Sequence, residues 1–345
     1  MTIANGLLYG NQIVQNEFVV LGILKEFCNA KCMKKGNIIV WLKSSQKETF
    51  SQIYHKAVSY NQFVRELNRR QNLFFAFDAQ SYRGDDVFSP VSEYVNGEIV
   101  ASGKEVVADV IYNLGSIPRQ NFKAQKAHIT NTPEFKEFCH SKFAIAEYLS
   151  PFSPKTMFIA TEGDFWSALK NIETERVVFK PDKGTNGVGV KIFETSKAVV
   201  DDDMRAHLEE GAVLQEFIDT RNGIPNICDA YHDLRLVTIN DHIVLTHVRI
   251  PEEGSLIANY EQGAIIRELS EEMVPEKILK FYRAVHQSVI QRFPKPMYAM
   301  DIGVGPSGPQ LFELNGHTAF PWPDFACRDF FIQNLIKHLE NFLSV

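Results

Sequence analysis

The stretch VVFKPDKGTNGVGVKIF, Val177 to Phe193, decides how the chain reads. Two β-rich runs flank Lys180, Pro181 and three closely spaced glycines, Gly184, Gly187 and Gly189. The order G-x-x-G-x-G is not a Walker A loop, because no Gly-Lys-Ser/Thr follows. It is not a dinucleotide fingerprint either, whose glycines must open a helix. Here Val190 to Phe193 continues as a strand, so the loop is the tip of a β-hairpin. Glycines let backbone N–H groups approach an anion closely. Three of them beside a lysine suit a flap over a phosphate, although spacing alone leaves a mobile surface loop equally open.

Outward from this hairpin, further polar residues sit inside apolar strands. VLQEFID (Val213 to Asp219) carries Gln215 and Glu216, which in isolation also fit an edge strand with outward-facing polar groups. DLRLVTIND places Asp233 and Arg235 at i and i+2, on one face of a strand. THVRIPEEGSLIANYEQGA adds Arg249, Asn259 and Gly263. The most informative run is MYAMDIGVGPSGPQLFELNG, Met297 to Gly316. Asp301 and Glu313 lie symmetrically about Ser307 in its GPSGP turn. A simple antiparallel hairpin would oppose them, with Cβ atoms about 4.5–5.5 Å apart, and Asn315 would share their face. Opposed like charges destabilise a strand pair, and a hard cation would compensate. An oxygen-only set suits Mg²⁺, which keeps waters and shares phosphate oxygens. Zn²⁺ is disfavoured because the group offers no Cys or His. A surface hairpin with solvated acids is the competing reading. His317, just beyond, reads as a residue behind the ligands or on the substrate side.

Composition bounds the rest. With 45% hydrophobic and 23% charged residues, the 345-residue chain has the profile of a globular protein long enough for two or three packed units. A formal charge of −6 argues against broad nucleic-acid binding. Five scattered cysteines do not form a disulfide framework. Cys28 and Cys32 read as packing residues of an amphipathic helix. No apolar run is long enough to predict a membrane span, and MTIANGLLYG lacks a signal-peptide pattern, so a reducing cytoplasm is the expected location. NIIVWLK (37–43) and NLFFAFDAQ (72–80) predict strands either side of a helix within 51–72. Two further strands surround Asn96-Gly97. A single helix is expected over 133–152, opened by Thr132-Pro133. Strand signals dominate from Val177, with helices over 275–293 and 330–343. The predicted organisation is an α/β unit (1–125), a central α+β unit bearing the glycine flap (126–212), and a C-terminal α+β unit (213–345).

Taken in order, VVFKPDKGTNGVGV, LQEFID, DLRLVTIND, VRIPEEGSLIANYEQG, MDIG and FELNG resemble the ATP-grasp ligases, in the branch of bacterial glutathione synthetase and the ribosomal-protein glutamate ligases. The resemblance runs from about Ser141 to the end. It implies the ATP-grasp fold: an N-terminal α/β pre-grasp domain, then two α+β subdomains clasping ATP. By this resemblance, Lys142 and Lys180 match the two lysines on the ATP phosphates, and Gly184, Gly187 and Gly189 the flap. Gln215, Glu216, Phe217 and Ile218 match the hinge strand that meets adenine, and Asp219 is a candidate for the ribose. Asp301, Glu313 and Asn315 match the metal ligands, with Glu313 bridging two Mg²⁺ ions, for which Mn²⁺ is an alternative. Arg249 matches the arginine that stabilises an acyl-phosphate, Asn259 and Gly263 the loop beside it, and Arg235 a basic residue near the phosphates or acceptor.

The implied reaction activates a carboxylate with ATP and couples it to an amine, on amino-acid or peptide-like substrates. A kinase on the same scaffold and a non-catalytic ATP-binding module are the alternatives. The resemblance is compatible with a homodimer or homotetramer. The N-terminal section has no clear similarity to the glutathione synthetase substrate domain, so the substrate stays open. Arg83, Arg119, Lys123 and His317 could contact an acidic substrate, but each reads first as a solvated surface residue.

Overall fold

The computed structural model describes residues 35–45, 56–115, 126–184 and 187–343. Cys28, Cys32, Arg119 and Lys123 lie outside the described residues.

Three principal sheets follow one another along the chain. The first has six strands, in the order Glu98–Ala101, Ser92–Val95, Asn72–Phe77, Asn37–Leu42, Val110–Asn113 and His128–Thr130. Its last four strands are parallel. Apolar residues fill both faces of the central strand, as a sheet covered on both sides requires. Ile38, Val40 and Leu42 face Phe63 and Leu67 of helix Ala57–Arg70, whereas Ile39 and Trp41 face Phe88 and Val91. Helix Arg328–Asn341 completes the first of these cores through Phe331, Ile332, Leu335 and Leu339. Arg83 lies exposed on a small separate sheet and does not line the cavity described below.

The second sheet is antiparallel, in the order Thr156–Ile159, Ala212–Glu216, Arg176–Pro181 and Lys191–Glu194. The last two strands are the predicted glycine hairpin. Strand Ala212–Glu216 is interior, so Gln215 is buried and not on a solvated edge. Two short helices, Glu162–Leu169 and Asp202–Glu210, cover one face. Neither is apparent from apolar spacing, yet both carry start signals. Thr161 and Asp164 form a reciprocal capping box, and Asp201 caps the second helix through Met204 N–H.

The third sheet runs Ile265–Leu269, His242–Ile250, Asp233–Ile239, Met297–Gly305, Gly308–Asn315, antiparallel throughout. Helix Glu276–Arg292 buries Ile278, Tyr282, Val285 and Val289 against it, the i, i+3/i+4 stripe expected of an amphipathic helix. Asn131, at positive φ, ties this sheet to the first: its amide donates to the carbonyls of Met297 (2.5 Å) and Gly316 (2.7 Å) and accepts from Met297 N–H (2.9 Å).

The helix expected over 133–152 is two helices, Pro133–His140 and Lys142–Tyr148. Ser141 is extended between them and caps the second through Ala144 N–H. Asp182, from the glycine hairpin, accepts from the Ser141 hydroxyl (3.0 Å) and from Phe143 N–H (2.8 Å). This break turns Lys142 toward the hairpin. Strands His128–Thr130 and Ala212–Glu216 complete the first and second sheets, so each sheet runs past the boundary read from sequence.

Candidate active site

The second and third sheets, with residues just past the strand ends of the first, line one cavity of about 920 Å³. Of the sixteen candidate ligand-binding, catalytic and metal residues, it brings together Lys142, Lys180, Gly184, Gly187, Gln215, Glu216, Phe217, Ile218, Arg235, Arg249, Asn259, Asp301, Glu313 and Asn315. Gly189 and Asp219 do not line it. Gly189, at positive φ, leaves room for Pro181 and His207, and Asp219 forms an ion pair with Arg221. Gly263 is also outside the lining.

One end of the cavity is cationic. Lys142 Nζ lies 3.0 Å from the carbonyl of Gly184. Lys180 is half-buried, and its Nζ donates to Gln215 Oε1 at 2.7 Å, while Gln215 Nε2 donates to Thr156 Oγ1 at 2.7 Å. The Gln215 side chain therefore holds the lysine. Burial pulls Lys180 down to about 8, with Glu313 acting against that, so it remains cationic at neutral pH. The flap arches from here toward the Asn259 loop. Gln262 Nε2 donates to Gly187 O at 3.3 Å. A Cβ on Gly187 would sit 2.9 Å from that nitrogen, and φ there is +69°, so both space and conformation call for glycine.

The opposite wall carries the carboxylates. Asp301 and Glu313 are direct cross-strand partners. The hairpin achieves this with a bulge. Gly305 pairs with Gly308, so the turn has two residues, and an unbroken ladder would oppose Asp301 to Phe312. The bulge at Phe312 shifts the register by one and restores the acidic pair. The Phe312 ring then lies over Gly303, where an added Cβ would fall 2.0 Å from Cζ.

Asp301 is 2% exposed and accepts four hydrogen bonds. Arg235 grips it bidentately, Nε to Oδ1 and Nη2 to Oδ2, both at 2.6 Å. Arg249 Nη2 and Asn315 Nδ2 reach Oδ2 at 2.8 and 3.2 Å. Arg249 also pairs with Asp233, its cross-strand partner. Burial alone would raise the carboxyl of Asp301. Arg235 and Arg249 outweigh it and hold the group well below the usual carboxylate range. Burial raises Asp233, with the Asp301 charge adding to the rise and Arg249 opposing it. Arg249 Nε and Asp233 Oδ1 are buried without a hydrogen-bond partner among the described residues. No three His, Cys, Asp or Glu side chains converge there or elsewhere among the described residues. A cation would rest on the two carboxylates and the Asn315 amide, an oxygen set that fits Mg²⁺ with waters and phosphate completing its shell.

Residues 150–284 match the model of the RimK-like ATP-grasp domain. A "Probable alpha-L-glutamate ligase" of Vibrio atlanticus (strain LGP32) is 27% identical over 165 residues, 47% of this chain and 49% of that one. The chain thus spans about half the length of the curated relatives it matches. Among solved structures, D-alanyl-alanine synthetase A from Vibrio cholerae superposes with a TM-score of 0.63 at 13% identity, covering 91% of this chain and 100% of that one. The ATP-grasp ligase PsnB, complexed with a phosphomimetic variant of its minimal precursor, Mg and ADP, gives 0.55 at 12%, over 88% and 99%. The fold is that of the ATP-grasp ligases. Within it, the carboxylate pair belongs to the third sheet and Lys180 to the second, so the cavity lies where the two grasp sheets face each other.

Several residues that line the cavity or hold its lining residues in place escaped the sequence reading. Thr156 and Asp182 act through partners distant in sequence. Phe312 becomes a lining residue only through the bulge. Lys43 and Lys56 come from the N-terminal unit and Lys136 from helix Pro133–His140. Lys43 and Lys56 had one legible signal, their position: Lys43 directly follows a strand and Lys56 directly precedes a helix.

Proposed function

We propose that the protein is an ATP-dependent carboxylate–amine ligase acting on amino-acid or peptide-like substrates. The observation that carries this reading is the Asp301–Glu313 pair, its Asp301 held by Arg235 and Arg249, in the same cavity as Lys142 and Lys180. A site that only bound nucleotide would have little use for a second arginine among the acids.

In this reading Lys142 and Lys180 neutralise the ATP phosphates while the flap covers them, and the Gln215–Ile218 segment and Phe312 border the base. Asp301, Glu313 and Asn315 would hold Mg²⁺, two ions in this reading, and the metal would supply charge neutralisation at the β- and γ-phosphates. The substrate carboxylate attacks the γ-phosphorus, releasing ADP and forming an acyl-phosphate. An amine then attacks the acyl carbon, phosphate leaves, and the ammonium protons pass to solvent. Arg249, fixed by Asp233 and with Nε unpartnered, is placed to stabilise charge on the reacting carboxylate and the departing phosphate. Arg235 holds Asp301 ionised and oriented. Positioning and electrostatics carry this type of chemistry, so no nucleophilic side chain is needed.

The test is Mg-ATP turnover with pooled amino acids, dipeptides and small dicarboxylates, with mass spectrometry of the products and Glu313→Gln as control. ADP release tied to a condensed product, absent from the variant, supports the reading. A phosphate ester would make the protein a kinase, and binding without turnover a regulatory module.

A further inference from the structure

The third sheet is graded across its strands. Its cross-strand pairs line up Glu313, Asp301, Arg235, His247 and Glu268 in one row. The acidic pair and its arginine occupy one end of that row. At the other end Glu268 does not line the cavity: its carboxylate accepts from the N–H groups of Ala326 and Cys327, both at 2.8 Å, at the start of helix Arg328–Asn341. One row along, Ile266 of the edge strand is the direct partner of Arg249 and lines the cavity half-buried. Arg249 therefore has Asp233 and Asp301 on one flank and an aliphatic side chain on the other.

The Glu268 anchor draws the chain after Asn315 across this edge. The Phe325 ring lies with its centre 6.3 Å from that of His247. A turn brings Phe325 N–H to the carbonyl of Trp322 (3.1 Å), and the Ser59 hydroxyl donates to the carbonyl of Pro321 at 2.9 Å. Trp322 meets Tyr260, from the loop between strands His242–Ile250 and Ile265–Leu269, edge to face with ring centres 5.0 Å apart. Trp322 and Phe325 are half-buried and Tyr260 is 44% exposed, and all three line the cavity with Ile266 and His247. Burial, with Arg235 and Arg249 beside it, holds the His247 imidazole well below its ordinary value, so it is neutral at pH 7.

Three rings and an isoleucine, set by strand pairing and backbone hydrogen bonds, thus keep apolar surface turned to the cavity. Such surface gains most when an apolar group covers it, and rings gain further from an aromatic partner. Ligand sites combine a lining of this kind with a few polar groups that fix orientation. Here Arg249 is the orienting group. A carboxylate that meets it, with the nucleotide on the acidic flank, directs its substituent toward the rings.

We propose that Tyr260, Trp322, Phe325 and Ile266 form a subsite for a large apolar side chain on the substrate whose carboxylate is activated beside Arg249. The inference rests on the ligase reading and adds the substrate's side-chain class to it. Lys56 Nζ stands 5.1 Å from the centre of the Trp322 ring, where the ring face itself stabilises the cation. An acidic side chain is accordingly the contrasting occupant, and the experiment separates the two.

That experiment is calorimetric titration of the full chain, loaded with Mg-ADP, with N-acetylphenylalanine, N-acetylalanine and N-acetylglutamate as probes. N-acetylphenylalanine should bind about tenfold or more tighter than the other two. Its advantage over N-acetylalanine should not change with salt, because screening acts on charges. Trp322→Ala and Ile266→Ala should each reduce that advantage by about threefold or more while Mg-ADP still binds, and Trp322→Phe should retain it. Equal binding of N-acetylalanine, binding of N-acetylglutamate as tight as that of N-acetylphenylalanine, or a preference unaltered by both alanine variants overturns the inference. So does binding of no probe by the Mg-ADP-loaded protein. A protein that fails to bind Mg-ADP at all refutes the ligase reading beneath it.

Discussion

Asp301 and Glu313 face each other across one ladder, yet removing their charges should have opposite consequences for stability. Asp301 is buried and is the shared acceptor of Arg235, Arg249 and Asn315. In Asp301→Asn the two guanidinium groups keep only Asp233 as a carboxylate partner in hydrogen-bonding contact, leaving a net buried positive charge. Breaking one side of a buried ion pair costs about 3–5 kcal/mol. At roughly 2 °C per kcal/mol for a large chain, the midpoint should fall by about 6–10 °C. Glu313 is half-buried and receives no hydrogen bond from a described residue. Glu313→Gln removes its attraction for Lys180 but also its repulsion of Asp301, so the midpoint should move by no more than about 2 °C. Differential scanning fluorimetry without nucleotide separates the two, and Mg-ATP turnover should be lost in both. Equal midpoints for the two variants, or an Asp301→Asn protein as stable as the parent, would refute the clamp described here.

Three further outcomes follow from the same geometry. Lys180, held near 8 by burial, loses its charge as pH rises through that value, so affinity for Mg-ADP should fall above pH 8; titration at pH 7 and pH 9 checks this, and Lys180→Met should bind weakly and flatten the dependence. Gly303→Ala places a Cβ 2.0 Å from Phe312 Cζ and should push the ring into the cavity, costing about 1–3 kcal/mol and weakening nucleotide binding; the midpoint and Mg-ADP affinity measure both. Gly187→Ala should raise the KM for ATP without a large loss of stability, because the strain falls at the flap tip, where the new methyl meets Gln262 and Asn259; steady-state kinetics read the split.

Much of the grasp region was legible because its signals are local. The hairpin around Lys180, the alternation that puts Asp233 and Arg235 on one strand face, and the turn between Asp301 and Glu313 all depend on near neighbours in sequence. The acidic pair was reached through a simple hairpin centred on Ser307, whereas the protein uses a two-residue turn and a bulge at Phe312. A bulge leaves no period-2 signature, so the two routes look alike from sequence. Long-range features were not legible. The break at Ser141 depends on Asp182, about forty residues away in sequence, and a continuous apolar stripe hid it. The grip of Arg235 and Arg249 on Asp301 requires three strands in register.

Transfer of oxygen tests the central claim most directly. With a substrate carboxylate labelled with ¹⁸O, attack on the γ-phosphorus followed by displacement by the amine carries one labelled oxygen into the released phosphate. The account predicts one ¹⁸O per phosphate, in step with the amide formed. Phosphate without label, or label retained entirely in the product, would contradict it.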